Sequence, residues 1–173
     1  MKDYGLVSII TPSWNCGRFV EETLQSILAQ TYAHWELLFQ DDCSTDDTKA
    51  IVMKYAANDS RIKYECNAQN RGAAITRNNA LRRAKGRWIA FLDSDDLWLP
   101  NKLEDQLKFM TENDYAFSYT NYSEIDEQSN DLDRTITGPR HINKWGMYAY
   151  WWPGCLTVMY NQDIVGLIQI EDI

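Results

Sequence analysis

The sequence is poor in the side chains that build soft-metal sites and covalent frameworks, with two histidines and four cysteines among 173 residues. Cys16, Cys43, Cys66 and Cys155 show no C-x-x-C spacing, and only His34 and His141 stand beside them, so neither a zinc site nor a disulfide scaffold is indicated. Scattered free cysteines suit a reducing compartment. The start Met1-Lys2-Asp3-Tyr4, followed by a short apolar run ending at Pro12, is not a signal peptide, so the expected location is cytoplasmic. Positive charge is also in deficit: 17 bases against 25 acids leave a formal charge of −8, the wrong sign for gripping a phosphate backbone, which argues against a nucleic-acid partner. One stretch, Trp145 to Gln162, lacks charge altogether and has the length of a membrane span. Pro153-Gly154 in its middle, Asn161, and a preference for Trp and Tyr over Leu and Ile give it interfacial rather than hydrocarbon chemistry, so it is expected as buried core or a pocket wall.

What is present is ordinary globular material, 45% hydrophobic and 24% charged, enough for one domain or one domain plus part of a second. Short β-rich runs near 6–11, 35–40, 61–65, 87–92 and 115–119 alternate with helical patterns near 19–30, 46–57, 72–84 and 100–111. Such alternation predicts an α/β fold with a mostly parallel sheet flanked by helices. The nearly continuous apolar runs Trp35–Phe39 and Trp88–Leu92 read as central strands covered on both faces. After residue 120 the pattern becomes loop-like, through Asn121-Tyr122-Ser123, an acidic run from Glu124 to Asp133, and Thr137-Gly138-Pro139. The apolar run Cys155 to Tyr160 then reads as a further strand, and the last residues carry no terminating signal, so the chain is expected to continue.

Ligands of open parallel sheets collect outside the carboxyl ends of the strands. Three polar clusters fall there: Pro12-Ser13-Trp14-Asn15 after the first strand, Asp41-Asp42 after the second, and Asp93-Ser94-Asp95-Asp96 after the fourth. Helix capping accounts for Asp46 and Asp47, and Asn101-x-x-Glu104 after Pro100 reads as a capping box of its own. It does not account for Asp41, Asp42, Asp93, Asp95 and Asp96. Carboxylates massed at one rim repel unless a cation or proton intervenes, and hard oxygen donors favour Mg²⁺ or Mn²⁺ completed by water and substrate phosphates, the bland alternative being a solvated loop. From Cys66 to Leu92 there is no acid, while Arg71, Arg77, Arg82, Arg83, Lys85 and Arg87 all appear. Arg77 alone lies along the apolar stripe of its helix, so it either forms a buried structural ion pair or faces the rim to meet a carboxylate or phosphate. The Asn70-Arg71-Gly72 turn lets backbone approach a ligand closely.

Four segments, taken together and in order, resemble the inverting nucleotide-sugar glycosyltransferases with the GT-A fold, glycosyltransferase family two. They are Val7-Ser8-Ile9-Ile10-Thr11-Pro12-Ser13-Trp14-Asn15, Asp41-Asp42-Cys43-Ser44-Thr45-Asp46, Asn70-Arg71-Gly72 with Thr76-Arg77-Asn78, and Gly86-Arg87-Trp88-Ile89-Ala90-Phe91-Leu92-Asp93-Ser94-Asp95-Asp96. The resemblance implies a Rossmann-like nucleotide-sugar-binding half over residues 1–120 and a partial acceptor-side region over 121–173. It places Pro12, Ser13 and Trp14 around the nucleotide, with Trp14 stacked on the base, and makes Asp42 the acid that hydrogen-bonds uracil. Gly72, Arg77, Asp93 and Ser94 fall on the donor, and Asp93 and Asp95 are the metal-associated pair, Asp95 as the direct ligand of Mn²⁺ or Mg²⁺. Cys43 replaces the more usual glycine, and Ile75 sits where smaller residues are common.

The same resemblance implies transfer of a sugar, from a uridine diphosphate donor, to a hydroxyl of a glycan or lipid-linked saccharide, with peripheral contact to a membrane. Asp172, in Glu171-Asp172, matches the general base, although the aromatic residues that usually follow are absent; a base past Ile173 is the alternative. The rival reading is a nucleotide-sugar-binding module without transfer activity. A phosphoacceptor receiver would carry its acidic pair after the first strand, and a nucleotidyltransferase a glycine-rich phosphate loop; that place holds Pro12-Ser13-Trp14.

Overall fold

The computed structural model describes residues 2–139 and 153–170. Four parallel strands form the centre: β1 (Val7–Ser13), β2 (Trp35–Asp41), β3 (Ile62–Cys66) and β4 (Trp88–Phe91). Three helices connect them: α1 (Val20–Leu28), α2 (Thr48–Ala56) and α3 (Ala73–Leu81). Then follow α4 (Lys102–Glu112), β5 (Phe117–Ser118), an antiparallel hairpin of β6 (Tyr122–Ile125) and β7 (Asp131–Ile136), a 3₁₀ turn (Cys155–Thr157), β8 (Met159–Asn161) and α5 (Gln162–Val165). The main sheet has the order β3-β2-β1-β4-β8-β5, with β8 antiparallel to both of its neighbours.

Strand alternation sorts the core into two layers. Ile9, Leu37 and Ala90 pack with Leu24, Val52, Leu103 and Leu107 on one face, while Ile10, Leu38 and Ile89 pack with Ala80, Leu81 and Tyr160 on the other. The mostly parallel sheet flanked by helices expected from the sequence is therefore the observed architecture. Strand order reverses between β1 and β4, which puts a crevice at their carboxyl ends, the place where such sheets take ligands. At the opposite end the buried Glu36 carboxylate accepts from Ser8 Oγ at 2.6 Å and from the Lys85 N–H at 2.9 Å, and it pairs with Lys63. Among the described residues, no helix is long and apolar enough to cross a membrane.

Four expectations are corrected. First, β1 extends to Ser13, because Pro12 and Ser13 continue the register opposite Gln40 and Asp41, so neither belongs to the following loop. Second, the acidic run after residue 120 is the β6–β7 hairpin; its turn is tied by Asp126 Oδ1, which accepts from the N–H groups of Gln128 and Asn130. Third, the Asn101 side chain makes no cap bond to α4 and engages Asp105, while Glu104 accepts from Thr31 Oγ1, so there is no capping box. Fourth, Asp46 rather than Asp47 serves the start of α2, accepting from the N–H and Oγ1 of Thr48. The apolar run Cys155–Tyr160 divides into the 3₁₀ turn and the start of β8. Residues 140–152, with Trp145, Trp151 and Trp152, lie outside the described residues.

Candidate functional site

The crevice is bounded first by the loop after β1, which is fastened to the loop after β2. The Asn15 N–H donates to Ser44 Oγ at 2.9 Å, Asn15 Oδ1 accepts from the Thr45 N–H at 2.9 Å, and the Gly17 N–H donates to Asp46 Oδ2 at 2.8 Å. This fastening is a positional reason for Asn15, Ser44 and Asp46, since their short polar side chains satisfy neighbouring backbone in place of a ladder. Asn15 and Cys43 both adopt left-handed backbone, with φ of 52° and 66°. For Cys43 this is the conformation that a glycine would enter without a Cβ penalty. Between these anchors Trp14 is left 57% exposed, a large aromatic side chain open to solvent on the loop after β1.

Both acids at the end of β2 are buried and internally satisfied. Asp41 accepts from the Ser44 N–H at 2.9 Å, from Ser44 Oγ at 2.6 Å and from the Tyr64 hydroxyl at 2.6 Å. Asp42 accepts from Asn67 Nδ2 at 2.7 Å and from the N–H groups of Arg71 and Gly72, the latter at 2.8 Å. A carboxylate offers about four acceptor positions, and three donors engage those of Asp42. Asp42 thus holds the Asn70–Gly72 turn in place. Gly72, with φ of 84°, lets the turn present two successive N–H groups to one carboxylate.

Burial raises the Asp42 carboxyl, and the bonds from Asn67 and from the Arg71 and Gly72 backbone more than reverse this, leaving it below its ordinary value. Glu36 and Asp46 are lowered in the same way, their hydrogen bonds outweighing burial. A carboxylate depressed on folding adds stability that is complete above its unfolded value, near 4, and lost as pH falls through the folded one. We therefore expect the thermal midpoint to hold from pH 7 to about 5 and to fall steeply below about 4. Calorimetry across that range is the check; a midpoint at pH 3 equal to that at pH 7 contradicts the assignment.

The third side of the crevice follows β4. Arg77 Nη2 donates to Asp93 Oδ1 at 2.6 Å, so both readings of Arg77 meet in one contact, an ion pair made at the rim. Burial alone pulls the guanidinium down, and the Asp93 charge more than restores it. Ser94 is buried, with its carbonyl accepting from Thr23 Oγ1 at 3.0 Å, so its side chain is not presented to solvent; Asp95 is exposed. Burial, followed by the charges on Asp93 and Asp95, pushes the Asp96 carboxyl up to about 6. Among the described residues no group of three or more His, Cys, Asp or Glu side chains makes a ready cage. One or two hard carboxylate oxygens beside room for phosphate are what Mg²⁺ or Mn²⁺ needs, and Asp93 and Asp95 fit that demand. Two buried donors in the crevice also lack hydrogen-bond partners among the described residues, Ser13 Oγ and Arg77 Nε.

Other residues entered the site unannounced by the sequence. The Cys155 thiol is pushed up to about 11, first by burial, with the charges of Arg77, Asp93, Asp96 and Lys102 also acting on it. Burial lowers the Lys102 ammonium to about 7, and it stands 4.0 Å from the centre of the Trp98 ring. Asn78, beside Arg77 on α3, donates from Nδ2 to the Ile170 carbonyl at 2.7 Å and accepts the Ile170 N–H on Oδ1 at 2.8 Å. Only long-range pairing identifies these side chains. Glu171 and Asp172, including the expected general base, lie outside the described residues.

The family model described as Glycosyl transferase family 2 matches residues 8–162. The chain belongs to this family. It is 44% identical over 165 residues to the Escherichia coli UDP-Glc:alpha-D-GlcNAc-diphosphoundecaprenol beta-1,3-glucosyltransferase WfgD, covering 95% of this chain and 63% of that protein. Among solved structures it is similar to S. aureus TarS 1-349 in complex with UDP, with a TM-score of 0.74 and 25% identity over 90% of this chain and 46% of that one. It is also similar to the mannosyltransferase PcManGT of Pyrobaculum calidifontis in complex with GDP-Man and Mn²⁺, with a TM-score of 0.62 and 27% identity over 67% of this chain and 35% of that one. The chain thus spans less than two thirds of the length of these proteins.

Proposed function

We propose that the chain is the donor-binding portion of an inverting glycosyltransferase that moves a sugar from a nucleoside diphosphate, uridine being the favoured base, to a hydroxyl of a saccharide. The observation that carries the reading is the Arg77–Asp93 ion pair at the switch point, two residues before the exposed Asp95, at the same sheet end as the exposed Trp14. WfgD supports a lipid-linked saccharide as acceptor and work at a membrane surface, and TarS supports the uridine donor.

Each residue has a task in the transfer. Trp14 stacks on the base, and the Ser13 hydroxyl meets the nucleoside or its phosphates. Asp42 acts by fixing the Arg71–Gly72 backbone. As the bond between the sugar and the diphosphate breaks, negative charge grows on the departing oxygen, and the Arg77 guanidinium lies on that side with a donor to spare. Asp93 holds Arg77 in place and, with Asp95, would hold the divalent ion. When bound, that ion supplies further charge neutralisation to the diphosphate. The acceptor hydroxyl attacks the opposite face of the sugar carbon while a carboxylate removes its proton, the task assigned to Asp172.

A thermal-shift screen of nucleotide sugars with Mn²⁺ tests the donor, because a ligand at a hundred times its Kd adds about 2.7 kcal/mol to stability. Stabilisation by uridine diphosphates is expected; no shift with any nucleotide rejects the reading. In the same assay Trp14→Ala should cost about 1–3 kcal/mol of nucleotide affinity, the usual worth of stacking on an aromatic ring. Equal affinity would return Trp14 to a purely structural role.

A further inference from the structure

Beyond Asp95 the site continues into a second cleft of about 320 Å³, which lies between the start of α1, the Asp95–Leu97 loop and the β6–β7 hairpin. Its lining combines two kinds of chemistry. Phe19, Tyr122, Ile125 and Leu156 supply flat or apolar surface. Between them stand the carboxylates of Glu22, Asp95, Asp96, Glu124, Asp126 and Glu127, and among the described residues no lysine or arginine lines the cleft. The hairpin is held against α1 across it, by Ser129 Oγ donating to Glu22 and by the Arg18–Glu127 ion pair of 2.8 Å. Arg18 and Arg134, which pairs with Glu124, neutralise from outside the lining.

A pyranose has apolar C–H faces that pack on rings and a rim of hydroxyls that donate to carboxylate oxygens. A phosphate or carboxylate offers no such donors and would enter a wall of its own sign in which, among the described residues, no lysine or arginine receives it, the divalent ion at Asp95 being engaged by the donor diphosphate. We infer that this cleft takes the acceptor as an uncharged sugar ring, and that it excludes phosphorylated and acidic sugars. This rests on the glycosyltransferase reading and adds the class of acceptor. The cleft meets the donor side at Asp95, so a hydroxyl of the bound ring reaches the transfer point from there. Where the acceptor is carried on a diphosphate lipid, the diphosphate stays outside the cleft, at the far end of the ring.

The test is saturation-transfer NMR on the full chain with saturating UDP and Mn²⁺, so that phosphate cannot report from the donor side. The probes are methyl glucoside, methyl N-acetylglucosaminide and N-acetylglucosamine 1-phosphate. We expect signal from the methyl glycosides, with the sugar phosphate bound at least tenfold more weakly. Ser123→Trp, which fills the cleft from the exposed hairpin, should abolish glycoside signal and leave UDP affinity within twofold. Ile125→Arg, which adds a cation at a lining position, should bring the sugar phosphate to within threefold of the glycoside. Equal binding of phosphate to the unmodified chain, glycoside signal that survives Ser123→Trp, or no glycoside signal at all overturns the inference while leaving the donor reading intact. Glycoside binding in a chain that does not bind UDP overturns the donor reading instead and leaves the cleft as a saccharide site.

Discussion

Replacing Asp95 by Asn should remove the manganese dependence of UDP binding and lower sugar transfer by about 100-fold or more, the scale on which loss of a charge-stabilising partner is felt at a leaving group. Asp95 is exposed, so the substitution should leave the fold as it is, and the thermal midpoint in the absence of nucleotide should not move. The surrounding charges make this side chain the sensitive one. Asp93 already shares an oxygen with Arg77 and Asp96 is half-buried, whereas Asp95 is exposed and able to turn toward an ion. Calorimetric titration of UDP with and without Mn²⁺ reads the effect directly. An Asp95→Asn chain whose affinity still rises with manganese as in the wild type would falsify the assignment of the metal to this loop.

Gly86→Ala should be the most damaging of the small substitutions. A Cβ at Gly86 would lie 2.5 Å from the Ser8 backbone nitrogen and 2.7 Å from the Leu6 carbonyl oxygen, both belonging to the path of the central strand β1. Neither can retreat cheaply. The Gly86 N–H donates to Ser8 Oγ at 2.8 Å and the Trp88 N–H to the Leu6 carbonyl at 3.2 Å, so relief of the clash breaks the junction of β1 with β4 and disturbs the buried Glu36 network. Overpacking against fixed backbone puts the cost at about 3 kcal/mol or more, a fall of roughly 10 °C in the midpoint for a chain of this size. Denaturant unfolding of Gly86→Ala beside Gly72→Ala makes the comparison sharp. A Cβ at Gly72 meets nothing within 4 Å, so that variant bears only the cost of its positive φ. Equal stability of the two variants contradicts the close-approach argument.

Much of this was legible in the chain because parallel strands covered on both faces write themselves as nearly continuous apolar runs, as at Trp35–Phe39 and Trp88–Leu92. The rim was legible for a similar reason: several aspartates beyond helix caps have no local partner to explain them. The β6–β7 hairpin was not. In β6 the half-buried Tyr122 and Glu124 alternate with the exposed Ser123 and Ile125, and in β7 Asp131 to Thr135 are all exposed, so the apolar signal of a strand is missing and only the Asp126-to-Asn130 turn marks it. Asp42 shows a different limit. Its sequence position gives an acid at a ligand-facing edge, and only the fold reveals that Asn67, Arg71 and Gly72 already occupy its oxygens. Asn78 reads as a polar residue of an amphipathic helix, and its partner is 92 positions away.

That last contact has a mechanical consequence. Both bonds of the Asn78 amide end on one residue, and the preceding position on the same helix grips Asp93. A displacement of α3 would therefore carry residue 170 with it, so one helix couples the position of the Arg77–Asp93 pair to that of the backbone at Ile170.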